Sequence, residues 1–323
     1  MKIPLTVAIP DYLRDHRYDG RIVLPAAEAL QILARSLPGD LPPCDPRRQE
    51  GGAFTHLLPL NANADAFNAF HEIVFSPDGR RLSRLTTLRT GRQAQWTRSV
   101  EHVSVSFLPL GKNGDSSLFP TWKIGSCPYF SHFSHFPLRG QSTPPSPKNL
   151  QYTLPGSDSH ATPARTGAAG KEGPPFSFSC RRLYDDLVPF GPAYHNVVGE
   201  VCLTPTEASA EVSGGDYPDA VGPLGSPFAF DAALHVACAW GQRYRNLVAF
   251  PVGFDSREIV LPTRNSETYI CRVFPLPDEG ATLCFDVRLY GEDRRPVEII
   301  LGLKMRDISG GRRKPPVWVR KGV

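Results

Sequence analysis

The feature that most constrains the fold is a pattern that occurs twice: a lead-in strand and turn, one apolar helical segment, and then a run of segments in which apolar residues alternate. The helical segments cover residues 24–37 and 228–242. Apolar residues at helix spacing indicate a helix buried along one face, and alternation is typical of half-buried strands. Because a helix followed by several strands with short turns is typical of antiparallel sheet, the sequence predicts an α+β fold.

The chain is predicted to contain four parts: an N-terminal half (1–110), an insertion or linker (111–175), a C-terminal half (176–308) and a basic tail (309–323). The insertion is rich in Gly, Pro, Ser, Thr and Lys, which predicts exposed linker. The strands expected in the first half are residues 2–8, 54–60, 69–75, 82–89 and 102–107. Those expected in the second are 197–203, 207–212, 247–254, 257–261, 267–275, 281–290 and 297–305. Residues 40–52, rich in proline, glycine and charge, are predicted to form a loop.

Composition limits the class of protein. With 323 residues, 41% of them hydrophobic and 21% charged, the chain is expected to be soluble and globular with a large core. The net charge of +4, without a basic and aromatic stripe, argues against nucleic acid as a partner and fits a small acidic one. Seven scattered cysteines without a CxxC pair favour reduced thiols and a cytoplasmic location. No run approaches membrane-spanning length, so no membrane association is expected.

Three residues of the insertion could be taken for a metal site: Cys127, His132 and His135. A zinc site needs a fourth ligand and a closed geometry, for which the sequence offers no candidate. The Phe-Ser-His repeat at residues 130–136 is better interpreted as a loop that packs its aromatic side chains. No metal and no cofactor are predicted.

The first candidate functional motif lies directly before the first helix. His16 is followed by Gly20 and then by Pro25, a residue that the first turn of a helix tolerates. Gly20 would let the backbone approach a ligand closely, and N–H groups near the helix start could stabilise a carbonyl oxygen that gains negative charge. His16 would stand beside it as a base. The alternative is a structural histidine before an ordinary core helix, which the spacing alone favours.

The second motif places Asp231 and His235 four residues apart on the second helix. Side chains at this spacing share one helix face. Burial among apolar neighbours would favour the neutral form of Asp231, which could then act as an acid, while the helix dipole would act in the opposite sense. His235 would orient Asp231 by a hydrogen bond. The alternative is an N-terminal helix charge with a paired histidine.

Together the two motifs resemble those of the dehydratase domain of polyketide synthases. His16, Gly20 and Pro25 match the HxxxGxxxxP motif of that family, and residues 190–194 (Phe-Gly-Pro-Ala-Tyr) resemble its YGPxF motif. Residues 227–235 resemble its segment that ends in DxxxQ or DxxxH, and residues 250–254 resemble a further short strand. The matches occur in family order. The resemblance implies a double hot dog fold, in which two antiparallel sheets each wrap a central helix.

The resemblance also implies a reaction, the loss of water from a β-hydroxyacyl thioester to give the α,β-enoyl thioester. His16 would take the α-proton, and Asp231, steadied by His235, would protonate the leaving hydroxyl. The Gly20 N–H would bind the thioester carbonyl. The implied substrate-binding residues are Gly20, Leu24, Pro25, Phe190, Gly191, Pro192, Tyr194 and His235.

One departure from the family leaves other functions open. The family tyrosine of YGPxF is Phe190 here, and its terminal phenylalanine is Tyr194. A product-template-like aldol cyclase of a poly-β-ketone is an alternative, because those domains resemble this fold and also use a His/Asp pair, and so is a non-catalytic double hot dog that binds acyl carrier protein. A thioesterase of the hot dog class is less favoured, because those enzymes usually lack this histidine motif.

The resemblance implies a free-standing dehydratase whose acyl substrate is bound to acyl carrier protein or to coenzyme A. Other synthase components would act in trans, and a homodimer is possible. The Arg312-Arg313-Lys314 cluster and the Arg320-Lys321 pair could contact an acidic carrier protein, although a solvated basic C-terminus is the simpler expectation.

Overall fold

The computed structural model describes residues 1–39, 43–90, 97–110, 175–277 and 280–322. Residues 1–110 and 172–323 belong to one compact unit. The predicted linker at 111–175 and the metal hypothesis for Cys127, His132 and His135 lie outside the described residues, apart from residue 175.

The elements follow the repeated pattern of helix and strands. The strands are β1 (Lys2–Ala8), β2 (Arg17–Tyr18), β3 (Arg21–Ile22), β4 (Cys44–Phe54), β5 (Ala66–Phe75), β6 (Arg81–Thr90), β7 (Thr97–Pro109), β8 (Phe176–Ser179), β9 (Val197–Thr204), β10 (Glu207–Ser213), β11 (Phe250–Ile259), β12 (Thr268–Pro275), β13 (Thr282–Tyr290) and β14 (Pro296–Arg306). The helices are α1 (Ala26–Arg35), α2 (Cys180–Arg182), α3 (Pro227–Tyr244) and α4 (Val317–Lys321). Short 3₁₀ turns occur at Asp11–Asp15, Pro192–Tyr194 and Pro218–Ala220, and a π-helical turn at Leu183–Leu187.

Twelve of the described strands form one continuous antiparallel sheet. Their order is β1-β5-β6-β7-β4-β11-β14-β13-β12-β10-β9-β8, so the strands of the two halves meet where β4 pairs with β11. The α+β class is confirmed, and the two expected sheets, one around each central helix, are joined edge to edge into one. The physical reason is that each half would otherwise end in an edge of unpaired N–H and C=O groups, and the β4–β11 ladder satisfies both edges.

Strand β4 corrects a second expectation. Residues 40–52 were predicted to form a loop and residues 54–60 a strand, but Cys44–Phe54 is a strand and only Pro59 of the following segment makes an isolated bridge. The ladder between β4 and β7 is irregular between Asp45 and Gln49 and again between Glu50 and Ala53. Pairing on both edges holds this polar, glycine-containing segment extended, against its local preference.

Helices α1 and α3 lie at the centre of their halves and contact each other. Helix α3 is buried along nearly its whole length, from Pro227 to Gln242, and packs against β9, β10 and β12. Its first turn is capped by Ser226, whose hydroxyl accepts a hydrogen bond from the N–H of Phe228 and donates one to the carbonyl of Gly214. The segment that carries Asp231 is therefore fixed at its start.

Polar contacts from α1 join the two halves. The Gln31 amide donates to the carbonyl of Gly225 at 2.5 Å, and its oxygen accepts from the N–H of Leu224 at 3.3 Å. Arg35 donates to the carbonyl of Ala220 at 2.7 Å. These bonds connect α1 to the loop that leads into α3, and so they fix the position of α1 relative to the start of α3.

The basic tail packs onto the unit. Arg313 pairs with Asp19 of the β2–β3 hairpin, and Arg243 of α3 donates to the carbonyls of Val319 and Arg320 in α4 at 2.7 and 2.8 Å. Arg313 and the backbone of α4 are thus held by contacts, while Arg312, Lys314, Arg320 and Lys321 are exposed, as expected of a solvated basic tail. None of the described helices is long and apolar enough to cross a membrane.

Candidate active site

His16 is oriented by the hairpin that follows it. Asp19 (φ 48°) and Gly20 (φ 73°) form the two-residue turn between β2 and β3, a conformation in which both residues have positive φ. The N–H of Val23 donates to the carbonyl of His16 at 3.0 Å, and His16 Nδ1 lies 2.8 Å from the Val23 carbonyl oxygen. The hairpin thus fixes both the backbone and the ring of His16.

This contact determines which ring nitrogen of His16 is free. A carbonyl oxygen only accepts hydrogen bonds, so Nδ1 carries the proton and Nε2 keeps its lone pair when the ring is neutral. Burial lowers the pKa of His16 below its ordinary value, while Asp231 and the Val23 carbonyl act in the opposite sense. The imidazole is therefore neutral at neutral pH, with Nε2 available as a base.

Asp231 and His235 form a buried pair on α3. His235 Nε2 lies 3.0 Å from Asp231 Oδ2, although the approach is not aligned for a hydrogen bond. Both residues are 4% exposed. On the far side of the ring, His235 Nδ1 lies 3.5 Å from the hydroxyl of Tyr184, which itself accepts a 2.7 Å hydrogen bond from the N–H of Val197. Tyr184 therefore supports His235 from behind, a contact that the sequence did not suggest.

The charge state of Asp231 depends on His235. Burial by itself raises the pKa of the Asp231 carboxyl, but the His235 ring and, more weakly, His16 lower it, so that the pKa lies below its ordinary value. Because the two groups are in contact and buried, a proton taken up here belongs to the pair, as imidazolium beside carboxylate or as imidazole beside carboxylic acid. The role of Asp231 as the acid stays a prediction, since burial and the two histidine rings shift the pKa of its carboxyl in opposite senses.

Phe190 brings the two motifs together. Its ring stacks on His16 with 4.3 Å between ring centroids, and lies 5.2 Å from the ring of His235. The electrostatic coupling of His16 with Asp231 and His235 is consistent with this placement. A histidine from the first half and an aspartate–histidine pair from the second therefore occupy one site, in which both histidine rings contact an aromatic ring that carries no hydroxyl.

Asp15, which the sequence analysis passed over, holds the turn that carries Phe190. Its side chain accepts a 2.9 Å hydrogen bond from the N–H of Ala193, and its carbonyl accepts a 2.8 Å bond from the N–H of Gly191. A Cβ added at Gly191 would lie 2.5 Å from Asp15 Cγ, so glycine is required there by close packing. The acidic residue directly before His16 was the available signal.

The remaining predicted substrate-binding residues differ in their exposure to solvent. Leu24 and Pro25 are buried, with Pro25 at the N-cap of α1, and Tyr194 is buried with its ring 5.0 Å from that of His16. Pro192 is exposed at the start of its 3₁₀ turn, and Gly20 is exposed at the tip of the hairpin. The glycine at position 20 is accounted for by its positive φ, and Gly20 is not among the buried residues that surround His16.

The fold has relatives among solved structures. Family models and curated proteins give no match to this sequence. The dehydratase domain of RzxB from Pseudomonas fluorescens is 13% identical, with a TM-score of 0.60 over 94% of each chain. A structure concerning dehydratase substrate selection in the borrelidin and fluvirucin polyketide synthases is 18% identical, with a TM-score of 0.58 over 95% of this chain and 90% of that one.

A third match is a bifunctional dehydratase-cyclase domain from ambruticin biosynthesis, 16% identical, with a TM-score of 0.57 over 94% of this chain and 91% of that one. Likeness at these identities concerns the fold alone. The sheet order, the two central helices in contact and these structural matches lead to one conclusion: the chain has the double hot dog fold found in polyketide synthase dehydratase domains.

Proposed function

We propose that this protein is a hydro-lyase that removes water from a β-hydroxyacyl thioester and leaves the α,β-enoyl thioester. The observation that carries the proposal is the arrangement around Phe190. The neutral His16 ring stacks on one side of it, and the Asp231–His235 pair adjoins it from the other half of the chain. A base and an acid in one site are what an elimination of this kind needs.

In the proposed reaction His16 Nε2 takes the proton from the α-carbon. The electron pair of that C–H bond forms the α,β double bond, and the β-carbon–oxygen bond breaks. The Asp231–His235 pair supplies its shared proton to the departing hydroxyl, which leaves as water. The pair ends the reaction with one proton fewer and His16 with one more, so a proton exchange with solvent restores both.

Two features of the site support these roles. The Val23 carbonyl holds the proton on Nδ1 of His16 and leaves Nε2 to act. The Tyr184 hydroxyl contacts Nδ1 of His235, and this contact favours the ring orientation in which Nε2 faces Asp231. For the thioester carbonyl we retain the Gly20 N–H as the proposed donor, because the hairpin that orients His16 also carries this amide.

Aldol cyclisation of a poly-β-ketone is the second candidate. It is favoured by Phe190, which offers no hydroxyl where the dehydratase family motif has a tyrosine, and by the match to a dehydratase-cyclase domain of the same fold. The same histidine would abstract an α-proton, but the carbanion would attack a ketone of the same chain. The two reactions therefore differ in product, not in base.

The partners we propose are an acyl carrier protein or coenzyme A that bears the substrate, with other synthase components acting in trans. A cytoplasmic location and a homodimer are part of the same proposal. Five of the described cysteines, Cys44, Cys180, Cys202, Cys238 and Cys271, are free thiols, as a reducing compartment would allow.

The test is incubation with a 3-hydroxyacyl thioester and with a poly-β-keto thioester, followed by mass spectrometry. We expect the wild type to remove one water from the hydroxyacyl substrate. His16→Ala and Asp231→Asn should each lower the rate by roughly 10²–10⁴-fold, because each removes a positioned acid or base. The matched controls are His56→Ala and Asp216→Asn, which change exposed residues of the same types.

Turnover that both active-site variants retain would refute the proposed roles. A cyclised product from the poly-β-keto thioester, with no water lost from the hydroxyacyl substrate, would favour the cyclase. No product from either substrate, with unaltered folding, would favour a non-catalytic role in binding acyl carrier protein.

A further inference from the structure

A second polar cluster lies beside the proposed site and has no part in the reaction described above. Glu28 is on α1, four residues after Leu24, and is therefore on the apolar face of the helix. It is 4% exposed, and its Oε1 makes no hydrogen bond to any described protein atom. A carboxyl group buried without a full set of partners is costly, by about 1–3 kcal/mol for each unpaired group.

Tyr194 adds a second unpaired group to the same cluster. Its side chain is 1% exposed, and its hydroxyl also has no partner among the described residues. Glu28 and Asp231 both influence its ionisation, as does Tyr12, which places these groups within electrostatic range of one another. Two unpaired polar atoms in one buried cluster point to a ligand that forms hydrogen bonds with both.

Glu28 is held by Tyr12 on its other side. The Tyr12 and Glu28 side chains affect each other's pKa, and the Tyr12 ring packs 5.4 Å from Phe228 of α3. Tyr194 packs 5.5 Å from the same ring and 5.0 Å from His16. The cluster is thus continuous with the His16 site through Tyr194 and lies between the two central helices.

The charge environment shows what this cluster can bind. Burial raises the pKa of Glu28 to about 7, partly countered by Tyr12 and Arg35, while Asp231 raises it further. Near neutral pH Glu28 can therefore donate a hydrogen bond as an acid or accept one as a carboxylate. The Tyr194 hydroxyl can also do both. A ligand oxygen, as hydroxyl or ketone, satisfies such a pair, whereas a hydrocarbon chain does not.

From this arrangement we infer that Glu28 and Tyr194 form a subsite for a second oxygen substituent on the acyl chain of the substrate, beyond the β-hydroxyl that is eliminated. The inference rests on the proposed function for the identity of the ligand as an acyl thioester. It makes Glu28 and Tyr194 specificity-determining residues: the enzyme selects oxygenated chains over plain ones.

The test uses non-reacting ligands, so that it does not depend on turnover. Pantetheine amides of octanoic, 5-hydroxyoctanoic and 7-hydroxyoctanoic acid are titrated into the full chain by calorimetry. We expect wild type to bind at least one hydroxylated amide about tenfold or more tightly than the octanoyl amide, the effect of one buried hydrogen bond. Glu28→Leu and Tyr194→Phe should each reduce that ratio severalfold or more.

Two variants keep the test decisive. Glu28→Gln preserves the volume and a hydrogen-bonding end and should keep part of the preference, even if Glu28→Leu fails to fold. Glu211→Gln, which changes an exposed glutamate on β10, should leave the ratio as in wild type. Wild type that binds all three amides equally would overturn the inference, and so would a ratio unchanged in Tyr194→Phe and Glu28→Gln.

Turnover of the corresponding 3-hydroxy, 3,5-dihydroxy and 3,7-dihydroxyoctanoyl thioesters separates this inference from the proposed function. If the amides show the preference but no thioester loses water, the subsite stands and the dehydratase proposal fails. If water is lost from all three at equal kcat/KM and the amides bind equally, the reaction stands and the subsite fails.

Discussion

At the scale of single residues, the site depends on how protons are distributed among four side chains. His16 is held neutral by burial and fixed in one tautomer by the Val23 carbonyl. The His235 ring lowers the pKa of the Asp231 carboxyl, and burial of the Glu28 carboxyl favours its protonated form. Two predictions follow from these states, one for the rate and one for the stability of the protein.

The pH profile of dehydration should reflect the low pKa of His16. A base acts only when unprotonated, so we expect kcat/KM to rise with pH along an acid limb whose midpoint lies below about 6.5, the ordinary value for histidine. The measurement is kcat/KM for the 3-hydroxyacyl thioester across acidic to neutral pH. A midpoint at or above the ordinary value would contradict a buried neutral His16.

Replacing Glu28 should change how stability depends on pH. In the folded protein Glu28 keeps its proton up to about pH 7, whereas the ordinary value is 4.5, so the free energy of unfolding falls as pH rises through this window. Across the whole window the free energy of unfolding should fall by about 3 kcal/mol in wild type, and this fall should be absent in Glu28→Gln. Denaturant unfolding at about pH 5 and about pH 8 should therefore show the variant gaining stability relative to wild type at the higher pH. Parallel pH dependence in both proteins would contradict the raised pKa.

At the scale of elements, the site depends on short segments held by contacts from the other half of the chain. The 3₁₀ turn Pro192–Tyr194 begins two residues after Phe190 and is held by Asp15, which comes from the 3₁₀ turn before His16. Gln31 and Arg35 of α1 hold the loop before α3 in the same way. Each of these segments of the candidate site is therefore positioned by a polar residue that is distant in sequence.

Replacing Asp15 should loosen Phe190 from His16. In Asp15→Ala the buried N–H of Ala193 loses its acceptor, which should cost about 1–3 kcal/mol of stability. We also expect kcat/KM to fall, because the Phe190 turn is no longer held against His16. Thermal unfolding and steady-state kinetics measure the two effects. Asp11→Ala, a fully exposed site in the same 3₁₀ turn as Asp15, is the control and should change stability by no more than about 0.5 kcal/mol.

At the scale of the whole molecule, the halves are joined by the β4–β11 ladder. Gly253 of β11 lies opposite Ala53 of β4, and a Cβ added at Gly253 would overlap the backbone carbonyl of Gly52. Gly52 itself lies against the ring of Phe254, so the strands approach more closely here than side chains would allow. Because the ladder and the α1–α3 contact connect the halves, the described unit should unfold in one transition.

Gly253→Ala tests this connection. The added methyl group meets backbone, which cannot move aside as a side chain can, so we expect a loss of several kcal/mol, within the upper range for point mutations. Gly39→Ala is the matched control, since a Cβ there meets nothing within 4 Å. Circular dichroism and tryptophan fluorescence should report a single shifted transition. Two separate transitions in the wild type would show that the halves are stable independently of each other.

Periodicity in the sequence was sufficient for the central helices and most strands. The expected helix at 228–242 corresponds to α3, and the strand at 2–8 is β1. Such patterns follow from which face of an element is buried, a property that neighbouring residues determine. Strand β4 was missed because its residues are polar and its extended form depends on pairing with β7 and β11. Pairing partners so distant along the chain leave no local signal.

By itself the sequence determined the α+β class, the helices that carry the motifs and the choice of His16 and Asp231 as candidates. Only the tertiary structure decided that one sheet joins the halves, that Phe190 contacts both motifs, that Asp15 holds the turn after Phe190, and that Glu28 is buried within electrostatic range of Tyr194. The physical reason is the separation along the chain over which each kind of interaction acts. Side-chain periodicity and turn conformation are properties of a few consecutive residues, whereas hydrogen bonds between the halves, the burial of a carboxyl group and the coupling of charges arise only when distant segments pack together.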